Sequence, residues 1–84
     1  MQGVLLRPMD PNFAWKTHKR CRILGMIKYS SAEDHWIPSA VVLWKSGWEK
    51  HVAFLNPQDR FHEQNAALDH AMVFATEWCD AHFI

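Results

Sequence analysis

From His62 to Asp80 the chain reads HEQNAALDHAMVFATEWCD, and this stretch carries apolar residues at helical spacing. Leu68, Ala71, Met72, Ala75, Trp78, Cys79 and His82 recur at three- and four-residue steps and define one face, while Asn65, Asp69, Thr76, Glu77 and Asp80 define the other. The spacing predicts one amphipathic helix of about twenty residues, on the order of 30 Å long. Upstream the apolar residues follow strand periods instead. A single helix shields one face of a sheet, so the second face must be covered by something else.

Between Lys19 and Tyr29 residues alternate, with Cys21, Ile23, Gly25, Ile27 and Tyr29 on one side and Arg20, Arg22, Leu24, Met26 and Lys28 on the other. This predicts a strand with one basic-edged face. The SSAED segment at positions 30–34 supplies turn residues, after which Trp36 to Trp44 is a β-rich run centred on Val41, Val42 and Leu43. Pro38 has no N–H to give to a ladder and is expected near a strand start or on an edge. Lys45, Ser46 and Gly47 reverse the chain, and Trp48 to Leu55 returns as a third strand. The expected fold is α+β: a three-stranded antiparallel β-meander followed by one long C-terminal α-helix on one face (β-β-β-α). Residues 1–17 hold two prolines and no sustained period, so they are expected to form an N-terminal arm before a single domain at 18–84. Val4, Leu5, Leu6, Phe13 and Trp15 make that arm apolar enough to pack on the domain or on a neighbour.

Eighty-four residues make a thin core, because a chain of this size buries only about two-thirds of its unfolded surface. Five tryptophans are more than one helix on one sheet face can cover, and the surplus rings point to a partner. Net charge is zero but unevenly spread: residues 1–30 hold six bases against one acid, and the remainder three bases against eight acids. Two cysteines are too few for a disulfide scaffold, and the longest early apolar run, Val4 to Leu6, is too short for a signal peptide or a membrane span. A reduced, cytoplasmic protein without a membrane role is expected.

The order Trp36, Ala40, Val42, a Gly47 turn, Leu55, Phe61, Ala67, Ala71 and the ending ATEWCD resembles small uncharacterised bacterial proteins with a three-stranded meander and a C-terminal helix. Their pattern is W-x-A-x-V, a turn and strand, F, then A-x-x-W-[IC]-D. The resemblance spans roughly residues 20 to 81 and implies the fold alone, since each shared position is one that packs. Members usually carry Ser or Thr where His62 stands and Ile where Cys79 stands.

Chemistry has few footholds. His18-x-x-Cys21 and Cys79-x-x-His82 together offer two sulfurs and two imidazoles, a zinc-type donor set. The helical pair shares a face, but residues three apart on a strand point to opposite faces, and no Cys-x-x-Cys knuckle is present. No metal or cofactor is expected, and the thiols read as small buried apolar groups. Without a nucleophile motif, a phosphate loop or His-Glu-x-x-His, no enzyme is expected.

The function expected is that of a small non-catalytic interaction module, homodimeric through the second sheet face and the arm, with His70 and Phe74 as secondary contacts. The alternative is a single-stranded nucleic-acid binder on the same face, combining phosphate neutralisation with stacking. The residues expected on that face are Arg20, Arg22, Leu24, Met26, Lys28, Trp36, Trp44, Trp48 and Lys50.

Overall fold

A computed structural model describes residues 12–83. It comprises β1 (Phe13–His18), β2 (Cys21–Ser30), β3 (His35–Ser46), β4 (Glu49–Leu55) and α1 (Gln64–His82). The strands form one antiparallel sheet in the order β1-β2-β3-β4, with the helix on one face. The α+β class and the C-terminal helix are as expected, but the sheet has four strands rather than three.

The additional strand comes from the segment read as an arm. Its sequence FAWKTH does alternate, with Phe13, Trp15 and Thr17 on one face and Ala14, Lys16 and His18 on the other. What hid it is the turn. Lys19 and Arg20 join β1 to β2 without the glycine, asparagine or aspartate that marks a two-residue reversal, and Lys19 itself takes the left-handed conformation at φ 55°. Val4, Leu5 and Leu6 lie outside the described residues.

The helix lies over β2 and β3, touches β1 less and leaves β4 at its margin. Small residues set the approach. Ala67, Ala71, Ala75 and Cys79 follow one another at four-residue steps, all buried, and face Gly25 and Ala40 on the central strands. Ile23 and Val42 are paired across β2 and β3 and buried with Cys21, Leu55, Ala75 and Cys79 in the larger core cluster; Ala14, Ile27, Ala67 and Leu68 form a second one. Met72 packs against both. The shortest dimension, 19 Å, is that of one sheet plus one helix.

Pro38 lies within β3 and is fully buried, yet the edge rule holds locally. β4 pairs with β3 only from Ala40 onward, and Trp36 exchanges backbone hydrogen bonds with Phe61 on the same side. Pro38 falls in the gap between these two contacts, where an N–H would have had no ladder acceptor.

Candidate functional site

Register assigns every strand residue to one of two faces. Toward the helix point Ala14, Lys16 and His18 of β1, Cys21, Ile23, Gly25 and Ile27 of β2, Pro38, Ala40, Val42 and Trp44 of β3, and His51, Ala53 and Leu55 of β4. Among the described residues no element packs on the opposite face. Its central row runs Trp15, Leu24, Val41, Phe54, flanked by the row Thr17, Arg22, Leu43, Val52 on one side and by Phe13, Met26, Ser39 on the other. Phe54 is 72 % and Val52 48 % exposed. The strand residues of this face include Arg22, Lys28, Lys45 and Lys50 and no aspartate or glutamate.

The structure divides the residues expected on this face. Arg22, Leu24, Met26, Lys28 and Lys50 are on it; Arg20 sits in the β1–β2 turn, and Trp48 in the β3–β4 turn. Trp36 and Trp44 are not on it. They share the parity of Ala40 and Val42, so they point to the helix side and pack against the two core clusters. Trp44 belongs to a group of rings at the helix C-terminus: its ring centroid is 5.6 Å from Trp78, 5.4 Å from Phe83 and 5.3 Å from His51, against which it stacks at 18°. Trp78 also stacks on His82 at 3.9 Å. The tryptophan of the helix is thus a packing residue.

Phe13, Trp15, Val52, Phe54 and Lys45 are face residues that the sequence reading did not assign. The signal for the last three was available, because Lys50, Val52 and Phe54 alternate and Lys45 opposes Lys50 across the hairpin. Phe13 and Trp15 required knowing that β1 is a strand.

The four side chains of the zinc-type donor set do not converge. Cys21 and Cys79 meet in the core, but His18 turns away so that its Nε2 lies 2.8 Å from Asp80 Oδ1, and His82 Nδ1 lies 2.9 Å from the Trp78 carbonyl oxygen. Among the described residues no three His, Cys, Asp or Glu side chains are grouped as a metal site requires. The His18 ring and the Lys19 ammonium, 2.9 Å away, hold the Asp80 carboxyl below its usual range. Burial, reinforced by the neighbouring Cys21 thiol, pushes the Cys79 thiol up to about 12. At neutral pH Cys79 is therefore a protonated thiol and a poor nucleophile. Native protein is expected to leave both cysteines unmodified by a thiol reagent at neutral pH, with two equivalents appearing on addition of denaturant; rapid labelling of folded protein would contradict this burial.

Among the described residues no helix is long and apolar enough to cross a membrane. No family model, curated protein or solved structure matches this chain.

Proposed function

We propose that the chain is a small non-catalytic interaction module that self-associates through its open sheet face, in a reducing compartment such as the cytoplasm. One observation carries this reading: four apolar side chains, Trp15, Leu24, Val41 and Phe54, run across the whole width of the face opposite the helix. Monomeric proteins seldom leave so continuous an apolar row in water, whereas sheet-on-sheet packing buries such rows between two copies. The β4 edge adds to the case. It lies at the margin of the helix, no described strand pairs with its outer side, and a second copy would cover it.

Sedimentation equilibrium of the wild type is expected to give a dimer at micromolar concentration. Phe54→Lys places a charge at the exposed β4 end of the apolar row while leaving the helix-side core untouched, and is expected to weaken the dimer at least thirtyfold, as loss of an aromatic anchor does (~2 kcal/mol or more). A wild-type protein that remains monomeric throughout the concentration range would end this reading. Association unaffected by Phe54→Lys would place the contact elsewhere.

A further inference from the structure

In a meander the first and third turns share one end of the sheet. Here the Lys19–Arg20 turn and the Gly47–Trp48 turn stand side by side, with the β2–β3 turn at the far end. Between them lies an open notch of roughly 860 Å³, walled by Lys19 and Arg20 on one side and by Lys45, Gly47 and Lys50 on the other, with Arg22 and Trp44 also lining it.

Most of the charges in this notch form no ion pair among the described residues. Lys19 is engaged by Asp80, but among the described residues Arg20, Arg22, Lys45 and Lys50 have no acidic partner. Lys45 and Lys50 are direct cross-strand partners, an arrangement that opposes like charges and weakens the hairpin. The nearest strand acid, Glu49, projects to the helix side, where its carboxylate is 3.8 Å from His51. An anion entering between the turns would relieve this repulsion.

Trp48 makes the anion more specific. It is 100 % exposed, at the tip of a two-residue turn in which only Gly47 has positive φ (65°), as a type II′ turn requires. Among the described residues its indole has no ring partner. Trp48 does not line the notch itself but follows Gly47, which does, so the same turn presents both elements of single-strand recognition: charges for the phosphates and, at its tip, a flat face for an unpaired base. A duplex satisfies the charges but keeps its bases stacked inside, out of reach of the ring.

We propose that the notch between the two hairpin turns binds single-stranded nucleic acid, with Arg20, Arg22, Lys45 and Lys50 neutralising phosphates and Trp48 stacking on a base. The site lies at one end of the sheet, beyond the apolar row of the open face, and does not depend on self-association. It also differs from a site spread over the whole face, because Trp36 and Trp44 are committed to the helix side.

Fluorescence anisotropy of a labelled oligothymidylate of about twelve nucleotides, a length within the range one small binding fold occupies, tests the proposal. Binding at low salt is expected, with log K falling against log[salt] at a slope of about −3, from roughly 0.7 for each of four phosphates. Lys45→Ala with Lys50→Ala is expected to reduce that slope by about 1.4. Trp48→Ala is expected to weaken binding by about five- to hundredfold at constant slope, with Trp48→Phe largely restoring it. These side chains are exposed, in the Gly47–Trp48 turn or on the strand ends beside it, so melting temperatures no lower than that of the wild type verify that the variants fold. No binding at low salt would overturn the proposal, as would equal affinity for duplex or for heparin with Trp48→Ala silent, which would show only a general attraction for polyanions. Sedimentation reports the dimer and anisotropy the notch, so failure of one is distinguishable from failure of the other.

Discussion

Ile23→Ala is expected to lower the unfolding free energy by about 2–5 kcal/mol, the range for removing a fully buried aliphatic side chain without collapse of the space it leaves. Ile23 is 0 % exposed, pairs with Val42 on the central strand, and packs in the larger core cluster with Ala75 and Cys79 of the helix. Collapse is limited here because the buried helix residues of that cluster, Ala75 and Cys79, are too short to swing into the gap. A domain of this length has on the order of 4–13 kcal/mol of stability to lose, and each kilocalorie corresponds to a shift of roughly 4–8 °C in melting temperature. The variant is therefore expected to melt well below the wild type. Urea titration checks it: the midpoint should fall at unchanged slope. A loss under about 1 kcal/mol would mean that this residue is not at the centre of the core.

Gly25→Val is expected to destabilise by about 1–3 kcal/mol, by overpacking rather than by leaving a void. An added Cβ at Gly25 would fall 3.2 Å from Met72 Cγ, closer still to its sulfur, and 3.6 Å from the Ala71 Cβ on the helix. The two clashing atoms belong to a flexible side chain, which decides how the series behaves. For Gly25→Ala, displacing the Met72 thioether offsets the roughly 0.5–1 kcal/mol that removing a strand glycine returns, so the net change is expected near zero. The two further methyls of valine meet the helix surface itself. Adding Met72→Ala to Gly25→Val should recover part of the loss, and a double-mutant cycle should show a coupling above about 0.5 kcal/mol. Simple additivity would mean that helix and sheet do not touch at this point.

The proximity of helix and sheet was partly legible in the sequence. Gly25 in a strand and alanines at helical spacing are each ambiguous alone, since a glycine weakens a strand and an alanine favours any helix. Together, on elements that must face each other, they specify close packing. The two faces of β2 were legible for the same reason: Cys21, Ile23, Gly25 and Ile27 against Arg22, Leu24, Met26 and Lys28 is a period-two pattern that needs no partner to be read. β1 was less visible because its turn uses Lys19 at φ 55°, a conformation that tertiary contacts maintain and the residue type does not announce. The Lys19–Asp80 contact reaches from that turn to the end of the helix, a pairing without local sequence signature.

The tryptophans divide along the same line. Trp78 could be assigned to the packed side of the helix because the helical period fixes direction from neighbouring residues. Trp36 and Trp44 could not be assigned from composition, since a β-rich, apolar β3 offers little contrast between its faces and only pairing with β2 decides the parity. The sequence by itself determined three of the four strands, the C-terminal helix and their order, because these follow from local periodicity. Only the tertiary structure decided which rings face the helix and that Arg20, Arg22, Lys45 and Lys50 meet at one end. That meeting depends on strand register and on two turns distant in sequence, and register is a property of paired strands rather than of either strand alone.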